Sequence, residues 1–423
     1  MRREGVSCAT VLLILAVTAG AQAGPQTGGS SQRPAERPAV EYVQEVTQLL
    51  REANRADLSE QETKAARARA QQQALQYASV VKARQPRGLE KFYLGYLYAL
   101  ADRADEALML FRDVVADDSV VPEERERVRL NVIEKLCQAG RLKDAELEAA
   151  AISDRAFNAE EVRAGAYHLL AIAATTAGQV DAAVAYEERS LEAARKSGII
   201  PLISRSAWAL AQLYVAVGRI PDAARMLSEV KAEFERQSVV GGDAAQTLQK
   251  SASYIKSALA QLEMLGKPAP EIVTVKWLEE EPTTLARLKG KVVALEFWAA
   301  WCPDCRGMIP HLREWAARYQ KDGLKILTVT RYYGFNGREV GRATREEEET
   351  FLIHFKRLRQ LPYGTAIDDG QRSFDLYSVT WVPTIAIIDR AGRVRFVFTW
   401  HENPALCEMM IKKILAEPAP SNS

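Results

Sequence analysis

The chain has 423 residues and a formal net charge of +1 at pH 7, and a length of this order predicts two or three domains. Hydrophobic residues make up 48% of the chain and charged residues 26%, proportions that exclude large-scale disorder. The near-zero charge gives no reason to expect a nucleic acid or an acidic membrane surface as partner.

The N-terminus has the three parts of a secretory signal peptide. Two arginines form a basic start, residues 8–19 form an uncharged and mostly apolar run, and Ala-Gln-Ala supplies a small-x-small ending. The apolar run is shorter than the about 20 residues that span a bilayer. We therefore predict cleavage of residues 1–23 after Ala23, an extracytoplasmic location such as the bacterial periplasm, and no stable membrane span.

Composition then divides the chain into a linker and two folded regions. Residues 24–40 are rich in Gly, Ser and Pro and predict a flexible linker. Residues 41–265 are rich in Ala, Leu, Glu and Arg, with apolar residues at helical spacing, and predict an all-helical domain. Two prolines followed by β-branched residues predict a second domain over residues 266–418, with residues 419–423 as a tail.

Turn signals repeat through the helical region. They are spaced 37 to 40 residues apart, and they lie at Asp102-Arg103, Gly140-Arg141, Gly178-Gln179 and Gly218-Arg219. An alanine follows each of them early in the next helix, where a small side chain lets paired helices approach closely. Periods in this range indicate stacked helix pairs. The pattern predicts about four hairpins over residues 89–240.

This repeat resembles the tetratricopeptide family. The residues at the spacing of that family's signature are Leu94, Gly95, Tyr98, Ala107 and Phe111. The resemblance implies a helical solenoid whose concave surface binds a protein partner. A scaffold that only builds bulk or dimerises is the alternative.

A Cys-x-x-Cys pair, Cys302 and Cys305, lies between two predicted strands at residues 292–298 and 325–330, at the start of a predicted helix. Free N–H groups and the dipole at a helix N-terminus stabilise negative charge, and the thiolate is the reactive form of cysteine. We therefore predict Cys302 as the exposed nucleophile and Cys305 as the buried resolving thiol. The redox group is the Cys302–Cys305 disulfide, with no other cofactor. Pro303 suits the first helical position.

Residues 266–416 resemble the thioredoxin-like proteins of the TlpA and ResA type, which are bacterial extracytoplasmic thiol–disulfide oxidoreductases. The matching segments are FWAAWCPDC at 297–305, IDDG at 367–370, VPT at 382–384 and IDRAGRV at 388–394. The predicted fold class is thus a multidomain chain, an all-α TPR-like solenoid followed by an α/β thioredoxin-like domain. The resemblance implies exchange of disulfides with exported proteins and a separate electron-donor protein.

The same resemblance implies a set of substrate contacts. Pro383 matches the family's cis-proline, which helps to hold an extended substrate segment, and Val382 would offer its backbone to that segment. Trp301 and Pro303 flank the nucleophile and are expected to contact the substrate as well.

The resemblance to the TlpA and ResA type also implies a proton acceptor. Glu296 falls at the buried acidic position of thioredoxins, where a raised pKa would let it take the proton from Cys305; a solvated residue at the sheet edge is the alternative. Some relatives carry a second glutamate where this chain has Met308. Asp304 inside the motif should raise the pKa of Cys302 and make the pair more reducing, so we favour reduction over oxidation.

Several other features have plainer interpretations. We expect the long loop 331–343 to be mobile, and Thr344 with Glu347 predicts a helix capping box. Cys137 and Cys407 lie in predicted helices and are interpreted as buried apolar residues, although a disulfide between them stays open.

Three alternatives to thiol–disulfide exchange have weaker support in the sequence. A zinc site needs four ligands, but no second close cysteine pair exists and His311 alone does not complete the set, so no metal is predicted. A thiol peroxidase would need a Thr or Arg before the nucleophile, which this segment lacks. An interaction scaffold with an accessory redox domain is the remaining alternative.

Overall fold

The computed structural model describes residues 37–237, 241–399 and 403–418. The predicted signal peptide and tail, and most of the predicted linker, lie outside these residues. Among the described residues, no helix has both the length and the hydropathy that crossing a membrane requires.

The N-terminal half is entirely helical. Its eleven helices within the described residues are α1 (Ala39–Ala53), α2 (Glu60–Ala83), α3 (Leu89–Leu100), α4 (Ala104–Val115), α5 (Pro122–Gln138), α6 (Leu142–Ala150), α7 (Ala159–Thr176), α8 (Val180–Ser197), α9 (Ile200–Ala216), α10 (Ile220–Glu235) and α11 (Gly242–Met264). The first of them begins at Ala39, inside the predicted linker.

The helices from α3 to α10 form the four predicted hairpins. Each hairpin turns at a residue with positive φ, and these residues are Asp102, Gly140, Gly178 and Gly218. The alanine early in the second helix is fully buried in every hairpin, at Ala107, Ala145, Ala183 and Ala223. In the first hairpin, a Cβ added to Gly95 would lie 2.8 Å from the ring of Phe111. The small residues therefore set how closely the paired helices pack.

The C-terminal half is a mixed sheet covered by helices. Its strands are β1 (Thr274–Trp277), β2 (Val292–Phe297), β3 (Leu324–Thr330), β4 (Gly364–Asp368), β5 (Thr384–Ile388) and β6 (Val394–Thr399). Its helices are α12 (Pro303–Tyr319), α13 (Arg345–Leu358), α14 (Arg372–Leu376) and α15 (Pro404–Leu415).

The six strands lie in the order β1-β4-β3-β2-β5-β6. Strands β2, β3 and β4 are parallel, and the other three run antiparallel to their neighbours. Strand β2 is central and buried along its whole length, because helices cover both faces of such a sheet. Its carboxyl end leads directly into the Cys-x-x-Cys segment. The chain is therefore a helical-hairpin array followed by an α/β thioredoxin-like domain.

Candidate active site

The two motif cysteines lie where β2 passes into α12. Cys302 is the N-cap of α12, and its sulfur accepts a hydrogen bond from the backbone N–H of Cys305 at 3.3 Å. Pro303 occupies the first turn, where its missing N–H costs no helical hydrogen bond. The sulfur of Cys302 therefore takes the place of the oxygen that usually caps a helix, in a position that favours a negative charge.

The two thiols have opposite electrostatic environments. Hydrogen bonding from Cys305 lowers the pKa of Cys302 below its ordinary value, although burial and the charge of Asp304 oppose this. Burial and then the neighbouring Cys302 raise the pKa of Cys305 well above its ordinary value. Asp304 thus acts in the predicted direction, but it does not decide the pKa of Cys302. The arrangement gives one thiol ready to ionise and one that stays protonated.

The prediction that Cys302 is exposed is wrong. Its side chain is only 4% exposed, and Cys305 is 1% exposed. The Cys302 thiol lies 3.6 Å from the carbonyl oxygen of Val382, to which it donates. The chain that precedes β5 therefore covers the nucleophile from one side.

The Val382–Pro383 peptide bond is cis. Pro383 is buried and Val382 is half-buried, while Trp381 before them is 43% exposed. Trp301 is also exposed, at 36%, and packs edge-on against Tyr333 with ring centroids 5.5 Å apart. The structure thus brings Val382 to Cys302 and leaves an exposed indole on each of the two segments.

Glu296 lies on the buried strand β2 beneath the cysteines. It is 3% exposed, and burial followed by the charge of Cys302 raises its pKa to about 8. Its Oε1 atom has no hydrogen-bond partner among the described residues. The alternative of a solvated edge position is wrong, because β2 lies between β3 and β5 in the middle of the sheet. Glu296 is close enough to Cys305 to contribute to the raised pKa of that thiol.

Two residues near the cysteines were missed by the sequence reasoning. Arg306 is largely buried, and its charge interacts with the Cys302 thiolate. It donates from Nη1 to the carbonyl of Ala300 at 2.8 Å. Tyr333 interacts with both cysteines, and burial raises its pKa. A basic residue directly after the second cysteine was a readable signal, whereas nothing in the sequence pointed to Tyr333.

Tyr333 belongs to loop 331–343, which is anchored rather than loose as we expected. The buried carboxylate of Glu348 accepts hydrogen bonds from two backbone N–H groups of the loop. The N–H of Tyr333 lies 3.1 and 3.0 Å from its two oxygens, and the N–H of Gly334 lies 2.8 Å from one of them. Phe335 is 4% exposed and packs edge-on against Phe351. The capping box that starts α13 is present as predicted. These contacts hold Tyr333 against the redox site.

The remaining cysteines are not part of the site. Cys137, on α5, is half-buried, and Cys407, on α15, is fully buried. Both are free thiols. Within the part of the chain that the structure describes, no group of three or more His, Cys, Asp and Glu residues could hold a metal ion.

A thioredoxin-like sheet with a cysteine pair at a helix N-terminus and a cis-proline beside it defines a class, the thiol–disulfide oxidoreductases. Comparison with known proteins agrees with this class. The sequence model of the AhpC/TSA family matches residues 265–397. ResA of Geobacillus thermodenitrificans is 30% identical over 32% of this chain and 69% of its own length. The chain belongs to the ResA family of thiol–disulfide oxidoreductases through this C-terminal domain.

Other known proteins are also similar to part of this chain. ResA of Bacillus cereus is 32% identical over 31% of this chain and 66% of its own length. Protein DipZ of Mycobacterium bovis is 27% identical over 46% of this chain. The matched part is only 26% of the length of DipZ. Among solved structures, a thiol-disulfide isomerase from Corynebacterium glutamicum is 20% identical, covers 36% of this chain and 99% of its own, and has a TM-score of 0.32.

Proposed function

We propose that this protein is an exported thiol–disulfide oxidoreductase that reduces disulfides in other exported proteins. The observation that carries the proposal is the pairing of a Cys302 thiol of lowered pKa with a buried Cys305 thiol of raised pKa, above the buried carboxyl of Glu296. Such a division of roles is what stepwise thiol–disulfide exchange requires.

In the first step, the Cys302 thiolate attacks one sulfur of a substrate disulfide. A bond forms between Cys302 and that sulfur, and the other substrate sulfur leaves as a thiolate. The backbone of Val382, 3.6 Å from the nucleophile, supports a role in holding the substrate segment beside it. Exposed Trp301 and Pro303 flank the nucleophile and would contact the same segment, with Pro383 shaping the groove.

In the second step, Cys305 loses its proton and attacks Cys302. The Cys302–Cys305 disulfide forms, the second substrate sulfur leaves as a thiolate, and two electrons have passed to the substrate. The ionised form of Glu296 would accept the proton, because a pKa of about 8 lies near the operating pH and leaves part of the carboxyl ionised there. A separate donor protein must then reduce the new disulfide. The reducing direction rests on the resemblance to ResA and on the charge of Asp304, which opposes the Cys302 thiolate even though the pKa of that thiol is lowered overall.

The helical array would act as the partner-binding module. Helix α11 contacts the chain that leads to the cis-proline. Gln261 donates to the carbonyl of Ser378 at 3.2 Å, and the ring of Tyr254 lies 5.5 Å from that of Trp381. The contact between Tyr254 and Trp381 supports a role for the array beside the proposed substrate groove. The tetratricopeptide resemblance and the predicted signal peptide complete the proposal of an extracytoplasmic, partner-selecting reductase.

A trapping experiment tests the proposal. The Cys305→Ser variant keeps the nucleophile but cannot resolve the mixed disulfide, so it should accumulate covalent complexes with exported proteins in cells. The Cys302→Ser/Cys305→Ser variant is the matched control and should trap none. If the single variant traps no more protein than the double one, or if the double variant restores full function in cells, the redox proposal fails and the scaffold alternative is favoured.

A further inference from the structure

The loop between α1 and α2, residues 54–59, lies against the redox segment. Arg306 joins the two, since its Nη1 donates to the carbonyl of Ala300 at 2.8 Å and its Nη2 donates to the carbonyl of Asn54 at 2.7 Å. Both bonds come from one planar guanidinium. The α1–α2 loop is therefore only one side chain away from the segment that ends in Cys302, although 252 residues separate Asn54 from Arg306 along the chain.

Further contacts anchor the same loop. Arg359, only 8% exposed, donates to the carbonyl of Arg55 at 3.0 Å. Asp57 lies 3.7 Å from the guanidinium of Arg338 in loop 331–343. At its centre Ala56 is 3% exposed. Hydrogen bonds from charged donors are stronger than neutral ones, so the α1–α2 loop is a docked element rather than a loose connection.

Three separate segments thus lie around the redox segment. The chain before β5 contacts Cys302 itself through Val382, loop 331–343 contacts Trp301 through Tyr333, and the α1–α2 loop contacts Arg306 through Asn54. Cys302, which lies among these contacts, is 4% exposed. A disulfide on a rigid, convex protein surface needs wide clearance to reach such a sulfur, whereas an extended chain segment is narrow.

We propose that the α1–α2 loop is a specificity-determining wall of the active site, which admits disulfides carried on extended, flexible segments and excludes those on folded surfaces. The inference rests on the proposed function and names its substrate class. The helical array would then select substrates by restricting access to Cys302, in addition to binding partners.

Undocking the loop tests this inference in the full chain. The Ala56→Glu variant places a charge at a buried position and should expel the loop, because an unpaired buried charge is strongly disfavoured. The Ala65→Glu variant makes the same change at an exposed position of α2 and is the matched control. A second variant, Arg359→Gln, removes one anchor without placing a charge in the interior.

The assay compares two substrates, a small folded protein with a surface disulfide and a flexible peptide that carries the same disulfide and flanking residues. The unaltered protein and the Ala65→Glu control should reduce the peptide at least tenfold faster than the folded protein. Ala56→Glu, and to a smaller extent Arg359→Gln, should raise the rate on the folded protein severalfold and change the peptide rate less than twofold.

Equal rates on both substrates with the unaltered protein would overturn the inference and leave the proposed function standing. The inference would also be overturned by a variant in which residues 54–59 show faster amide hydrogen exchange, and the loop is therefore undocked, but the ratio of the folded-protein rate to the peptide rate is unchanged. No reduction of either substrate by any form would overturn the proposed function, and this inference with it.

Discussion

Replacing Glu296 with Gln should change how the stability of the protein depends on pH. The carboxyl of Glu296 has its pKa raised from 4.5 to about 8 by burial. In the unfolded chain it ionises near 4.5, whereas in the folded protein it stays protonated up to about pH 8. The folded state therefore binds more protons between these values, and stability falls as pH rises through this window.

The size of the effect follows from the shift. A shift of one pKa unit corresponds to 1.36 kcal/mol, so a shift of about 3.5 units sets a ceiling of about 5 kcal/mol. Glu296→Gln removes this penalty, because the amide is neutral at every pH. The free energy of unfolding of the variant, relative to the unaltered protein, should therefore rise by as much as about 5 kcal/mol between pH 4.5 and pH 8.

Urea unfolding of both reduced proteins at a series of pH values measures this difference. The Glu263→Gln variant, at an exposed position of α11, is the matched control and should follow the unaltered protein at every pH. A constant difference between Glu296→Gln and the unaltered protein across the window would refute the reasoning, because it would mean that Glu296 is ionised in the folded state. The same variant should slow the resolving step about a hundredfold in stopped-flow exchange, if the carboxylate takes the Cys305 proton.

Four further substitutions test the redox helix and the first hairpin. Asp304→Asn should lower the pKa of Cys302, and Arg306→Ala should raise it. Thiolate absorbance against pH measures both, and an unmoved titration would contradict each assignment. Gly95→Ala should destabilise the protein by roughly 1–2 kcal/mol, since its Cβ would lie 2.8 Å from a ring carbon of the facing helix. Gly307→Ala, with no atom within 4 Å of the new Cβ, should instead stabilise it by up to about 1 kcal/mol; equal thermal shifts would contradict the packing argument.

The hairpins could be predicted because their signals are local. A glycine or Asp at the turn adopts positive φ, and an alanine a few residues later lies in the tight helix contact, so both features lie within one repeat. Asp102 and Gly140 turn where the pattern placed them. The start of α12 at the cysteines was readable for the same reason, because Pro303 and the end of an apolar strand are adjacent in sequence.

The surroundings of the nucleophile could not be predicted in the same way. Cys302 is covered by Val382, which is 80 residues distant along the chain, and the α1–α2 loop reaches the redox helix from still farther away in sequence. No local pattern reports that Arg306 would bind the carbonyl of Asn54. The raised pKa of Glu296 was predictable only because an acidic residue in a continuous apolar strand must be buried wherever that strand lies inside the sheet.

The reduction potential of the full chain decides whether Cys302 and Cys305 form a redox couple and in which direction it works. The protein would be equilibrated in dithiol–disulfide buffers and followed by the fluorescence of Trp298 and Trp301, which lie within a few residues of the motif. We expect a reversible two-electron couple near the thioredoxin value of about −270 mV, absent from the Cys302→Ser variant. A couple near about −120 mV would reverse the proposed direction to oxidation, and the absence of any reversible couple would contradict a redox function for this cysteine pair.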